Sequence, residues 1–355
     1  MSLFVNNNLS WSSFIGLAIV VLTGYDVAVT ELAVSKGPGP ITKVVSRSLW
    51  RVCRGVNRRL GVSVLLRAAG PLVILTILWT WLVVMIVGWG LVFGQEGSLL
   101  EDGEALQPAF GRIHYAASLV LGRGGSSFEP AAGVWRFAEQ LASLVGVAFV
   151  GMAVAYVLPV ISAVIHKRQV AVSIWALGTS PVAVLTRAWN GRDFGELDLH
   201  LLALTPEIAR LSQQHFAYPV LAYFHSGDRD TALAPSIVVL DETLMLLESA
   251  IDGDVGCEVS AWLPCRETVS VFLESVTAMG VHAPNNEVLP RPDLDALREV
   301  GIPLRDEADI DQAYDATRSV ARRGLLADLL AYAGSSLEEV RHDAEGGRTD
   351  PNPIG

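Results

Sequence analysis

The sequence predicts an all-α membrane protein: three transmembrane helices, a short re-entrant segment between the second and third, and a cytosolic helical domain. Three observations predict it. Apolar runs at about 11–33, 71–93 and 137–165 each reach the roughly 20 residues of helix that cross a hydrocarbon core. The mean hydropathy of +0.40, with 51% hydrophobic residues, is high for a soluble chain and suits a membrane protein with a water-exposed part. From about residue 190 the hydropathy falls, while apolar residues keep recurring at three- and four-residue steps without strand alternation.

The first region, 1–40, reads as an N-terminal transmembrane helix rather than a cleaved signal. Its opening residues, MSLFVNNNLS, carry no Lys or Arg, and the apolar run continues past Tyr25. Asp26 lies inside this span, and an intramembrane acid is a functional candidate. Its place beside Thr30 and Glu31 near one end allows a second reading, a carboxylate that reaches the interface and pairs with an arginine of the next helix.

Residues 41–70 form the second region. Lys43, Arg47, Arg51, Arg54 and Arg58 recur at steps of 4, 4, 3 and 4, opposite Val45, Leu49, Val52, Val56 and Leu60 at steps of 4, 3, 4 and 4. That spacing predicts a helix lying along the membrane surface, with the basic residues of 43–67 towards anionic headgroups. Its position between two spans argues against nucleic acid as the partner. Loop charge then sets the orientation in the cell membrane. The basic stretch and His166-Lys167-Arg168 belong on the cytoplasmic side, and Glu96, Glu101, Asp102 and Glu104 outside. The amino terminus is therefore expected outside and the carboxy-terminal domain inside.

Residues 71–168 place an amphiphilic stretch, 110–121, and a glycine-rich loop between two spans. Tyr115-Ala116-Ala117-Ser118-Leu119 reads as a short helix, and Val120, Leu121, Gly122, Arg123 and Gly124 as a loop in which glycines let successive carbonyls face one axis. Gly146, Gly151, Ala153 and Ala155 of the last span permit close helix approach, and Pro159 removes a backbone bond. Gly151 and Pro159 are the candidate hinge or gate.

In these features the chain resembles the two-helix-pore potassium channels of bacteria, in the group of two-pore-domain or ion-channel-like proteins. The likeness covers about residues 71–168, with Gly122 and Gly124 at the two glycine positions of a TVGYG filter and Pro159 where inner helices bend. Tyr218-Pro219-Val220-Leu221 and Tyr223-Phe224-His225-Ser226 are similar to the helical cytosolic part of actinobacterial members. The resemblance implies a homotetramer, K⁺ as the permeant ion and no organic cofactor. Three positions depart from the pattern: Val120 replaces the threonine, Arg123 the aromatic residue and Gly125 the acidic one. Two unit charges 4 Å apart repel by about 4 kcal/mol at an effective dielectric near 20, so four arginines around one mouth oppose cation entry. Glu129, six residues beyond Arg123, is a candidate to neutralise it.

The cytosolic domain, 169–341, should contain helices at 194–214, 236–251, 267–279, 292–300 and 310–333, its Asp and Glu on solvated faces, and the tail 342–355 should be disordered. Cys53, Cys257 and Cys265 form neither a disulfide framework nor a metal-ligand spacing. His200, His215 and His225 are too far apart for one helix face, and no catalytic motif occurs, so the chain is not expected to be an enzyme. The expected function is potassium-channel-like ion transport. The alternative is a non-conducting membrane scaffold or sensor that retains the architecture.

Overall fold

A computed structural model describes residues 10–32, 37–60, 68–101, 104–105, 109–123, 128–131, 133–252, 255, 257–278 and 288–334. The chain forms two compact units, residues 1–161 and 162–355. The boundary falls inside one long helix rather than at its end.

The first unit contains α1 (Trp11–Leu32), α2 (Pro40–Leu60), α3 (Ala69–Val92), β1 (Leu99–Glu101), β2 (Glu104–Ala105), α4 (Ala109–Val120), β3 (Phe128–Pro130) and the start of α5 (Val134–Leu177). Helices α1, α3 and α5 are each long and apolar enough to cross a membrane. With few polar side chains to direct packing in lipid, close backbone approach has to do so. Buried Ser13, Gly16, Val20, Thr23, Val27 and Thr30 give α1 one face at three- and four-residue steps. A Cβ at Gly16 would lie 2.5 Å from the Gly88 carbonyl oxygen of α3, so the two helices cross where neither carries a side chain.

Three short strands are a departure from the all-helical pattern read in the sequence. β1 pairs antiparallel with β2 and with β3, Leu100 lying opposite Glu129. Segments of two or three residues show no period, so alternation had nothing to reveal.

The second unit joins the last part of α5 to α6 (Pro181–Ala188), α7 (Gly195–Ala217), a 3₁₀ turn at Pro219–Tyr223, α8 (Leu233–Ser249), α9 (Val259–Ala278), α10 (Asp295–Glu299), α11 (Glu307–Asp315) and α12 (Thr317–Ala333). Ile174, Leu185, Leu201, Ile237, Phe272 and Leu326 lie in its core. α6 was not foreseen. Ser180 Oγ accepts the Ala183 N–H at 3.1 Å and Pro181 occupies the first turn, an N-terminus built from local chemistry. The single helix expected at 310–333 is two, broken at extended Ala316, and α10 is shorter than the stretch expected at 292–300. The tail 342–355 lies outside the described residues.

Two acids of this unit are buried, contrary to the solvated faces expected of its Asp and Glu. Arg322 donates to Asp241 through Nε at 2.8 Å and Nη2 at 2.5 Å, and Arg323 Nε donates to Glu242 at 2.9 Å. These neighbouring pairs fasten α8 to α12. Burial holds the Glu242 carboxyl above its usual range, against the opposing pull of the Arg323 guanidinium.

Candidate functional site

The contacts of α4 define its path. Arg112 Nη1 donates to the Gly94 carbonyl, just past the end of α3, at 2.6 Å. Tyr115 Oη donates to Glu139 Oε1 of α5 at 2.7 Å. Val120 meets Gly146, where a Cβ would stand 2.4 Å from the Val120 carbonyl oxygen. Helix α4 therefore starts level with the end of α3 and descends along α5, and β3 then brings the chain back to β1. The 12 residues of α4 span about 18 Å, roughly half of a bilayer core.

The end of α4 is closed by three backbone bonds. Leu121 N–H reaches Ala117 O at 2.9 Å, Gly122 N–H reaches Leu119 O at 3.0 Å, and Arg123 N–H reaches Ser118 O at 2.9 Å. With Gly122 at φ +66°, this is a left-handed glycine cap. The helix runs to Val120, one residue beyond the expected end, so Val120 is helical and buried rather than the first residue of an open loop. Leu121, Gly122 and Arg123 are exposed, and Gly124 and Gly125 lie outside the described residues.

Glu129 occupies β3 with its side chain exposed. Among the described residues, no ion pair joins Glu129 to Arg123. α5 is continuous through Gly151 and Pro159. Nothing approaches the Cβ position of Gly151, whereas Gly146 is filled by the end of α4. Gly146 is thus the seat for the end of α4, a role the sequence signalled only as one small residue among several.

Asp26 is fully buried, and its hydrogen-bond partners are the start of α2 and Trp81 rather than an arginine. Oδ1 accepts the Ile41 N–H at 2.7 Å, while Oδ2 accepts Thr42 N–H at 3.2 Å, Thr42 Oγ1 at 2.7 Å and Trp81 Nε1 at 2.8 Å. The carboxylate of one helix caps another and binds a third. Lys43, Arg47, Arg51 and Arg54 project from α2 as an exposed basic face, as the spacing predicted, and the side chains of residues 57–60 lie outside the described set.

In the second unit, His166 is buried between Glu207 Oε2 at 2.7 Å and Gln214 Oε1 at 2.6 Å. Lys167 Nζ donates to the carbonyls of Leu221 and Phe224 at 3.2 and 2.8 Å. His200 is exposed, His215 is buried against the Phe272 ring, and His225 faces Tyr332, so the three histidines do not converge. Cys53, Cys257 and Cys265 are free and buried. Among the described residues, no cluster of His, Cys, Asp and Glu is arranged to hold a metal ion.

Comparison with known proteins places one relative beside this chain. It is 28% identical over 338 residues to an uncharacterised membrane protein, YdjJ, of Bacillus subtilis strain 168, covering 95% of this chain and 97% of the relative. No family model matches the sequence. No solved structure matches it either. The chain is an all-α, membrane-type protein with three helices able to span a bilayer.

Proposed function

We propose that four copies of this chain surround a cation pathway, K⁺ being the permeant ion, with the end of α4 and its glycine loop at the mouth. One observation carries the reading: α4 has about half a membrane's length, packs Val120 against Gly146 and is capped by left-handed Gly122. A helix carboxy-terminus bears partial negative charge, which favours a cation beyond it. One chain supplies one such end, and a closed ring needs several. In this reading the amino terminus is outside the cell membrane, the second unit is cytoplasmic, and the exposed basic face of α2 lies on anionic headgroups.

A specific observation favours the alternative, a non-conducting scaffold or sensor. The carbonyls of Ser118 and Leu119 are engaged in the helix cap, and exposed Arg123 follows directly. Potassium flux into liposomes, measured beside the particle mass in nanodiscs, separates the two. The channel reading expects measurable flux from the native tetramer and more from Arg123→Gln, because a positive charge leaves the mouth. A verified tetramer with no flux in either form would leave the scaffold reading standing.

A further inference from the structure

Two tryptophans in the middle of α3 face opposite ways. Trp81 is fully buried, and its indole N–H reaches Asp26 Oδ2 at 2.8 Å. Trp79 is 63% exposed, and among the described residues its indole N–H has no partner. It lies about 15 Å along α3 from Ala69, in a helix long and apolar enough to cross a membrane, and so near the middle of a hydrocarbon core roughly 30 Å thick. A tryptophan in a spanning helix ordinarily sits at the interface, where water or a headgroup takes its N–H. At mid-depth no water does so, and an unbonded donor is costly there.

Trp79 borders an open groove of about 540 Å³ along α3, a volume in the range of small-molecule sites. Leu75, Trp79 and Val83 form its exposed edge, and Thr76, Thr80 and Val84 are half-buried beside them. The Thr76 and Thr80 hydroxyls donate to the Leu72 and Thr76 carbonyls, each at 2.7 Å, which leaves the two oxygens as acceptors. The groove therefore offers a donor, two acceptors and the face of an indole among apolar side chains.

That combination selects among lipids. A phospholipid keeps its charged headgroup at the membrane surface, because charge is expensive in the core, and brings only hydrocarbon to Trp79. A neutral lipid with a small polar head is not held there. An isoprenoid quinone brings a flat ring to stack on the indole and a carbonyl to accept its N–H. Its reduced form brings hydroxyls that donate to threonine oxygens, and its tail matches Leu75 and Val83.

We propose that the α3 groove binds an isoprenoid quinone, the ring lying on Trp79 and a ring carbonyl accepting the indole N–H. The site lies wholly within the first unit and does not depend on the pore proposed above.

The test uses the full chain in lipid nanodiscs, with menaquinone-4 as the probe, oxidised or reduced with borohydride. Quinone retained in excess of empty nanodiscs is counted after extraction. The expected result is a saturable excess, with affinity about fivefold weaker in Trp79→Phe, which keeps a ring and removes the N–H. Joint Thr76→Val and Thr80→Val should weaken retention of the quinol and leave the quinone nearly unchanged, because only the quinol donates. Melting temperatures check that both variants fold. An excess that does not saturate, equal affinity in Trp79→Phe, or displacement by squalene or farnesol as readily as by the quinone itself would overturn the proposal.

Discussion

Asp26 Oδ2 accepts the indole N–H of Trp81 at 2.8 Å while the same carboxylate accepts the backbone N–H groups of Ile41 and Thr42. One side chain of α1 thus closes the amino-terminal end of α2 and holds both helices to α3. The first turn of a helix leaves N–H groups without intrahelical partners, and a buried anion there is stabilised by them. Gly39 makes the approach possible, since a Cβ there would stand 2.2 Å from Asp26 Oδ1.

Asp26→Ala should therefore destabilise the first unit strongly, at about 1–3 kcal/mol for each buried donor left unsatisfied. Trp81→Phe removes one donor and should cost less. Thermal unfolding in detergent reads both, and a double-mutant cycle should give coupling between the two positions. Native-like unfolding of Asp26→Ala would show that the cap does not hold the helices together.

The two glycines of α5 should behave oppositely. Gly146→Ala drives a Cβ to within 2.4 Å of the Val120 carbonyl, an atom of a helix backbone that cannot swing aside, so it should displace α4 and cost on the order of 1–3 kcal/mol. Gly151→Ala meets no atom and should gain roughly 0.5–1 kcal/mol from helix propensity. Unfolding temperatures with the same sign for both would contradict the seating of α4 on Gly146.

Acid should weaken the second unit. Burial pushes the His215 imidazole down to about 3, with the nearby Lys167 ammonium acting in the same direction, and its Nδ1 contacts the Leu211 carbonyl at 3.0 Å. His225, half-buried beside Tyr332, shifts down to about 4 by the same two causes. Between an unfolded value near 6.5 and these folded values, the unfolded chain binds more protons. Stability is thus fully present above pH 6.5 and is lost as pH falls, by about 1.4 kcal/mol per pH unit for a fully buried histidine. Melting curves from pH 7.5 to 5 should show this, and His215→Leu should flatten the dependence. An unchanged slope in that variant would remove His215 as its source.

Thiol labelling in intact cells tests the orientation. Ser98 faces the interior, its hydroxyl donating to the Phe93 carbonyl at 2.6 Å, so it would make a poor reporter. Glu104 and Arg47 are exposed. An impermeant maleimide should label Glu104→Cys in intact cells and Arg47→Cys only after permeabilisation, while buried Cys53, Cys257 and Cys265 stay unlabelled. The reverse pattern would invert the topology.

Several site residues were legible only in part. Gly122 could be picked out because glycine alone takes a left-handed backbone at little cost. That its N–H and that of Arg123 close a helix, rather than leaving Val120 in an open loop, depends on hydrogen bonds to Leu119 and Ser118 whose geometry no spacing encodes. Asp26 was conspicuous as an acid in an apolar span. Its partners lie 15 to 55 residues away in sequence, so local pattern could offer only generic alternatives. The same distance hid Asp241 and Glu242, whose arginines lie 81 residues further on.

The sequence by itself determined the three spans, the basic face of α2 and the helical character of the second unit. Each follows from a local rule: backbone groups in lipid must bond within their own helix, and a helix with one buried face shows it as a period. Only the tertiary structure decided that Gly16 meets Gly88, that α4 rests on Gly146 and that Asp26 caps α2. Those outcomes depend on which surfaces meet across long stretches of chain, and close packing selects among pairings that the periodicity of each helix leaves equivalent.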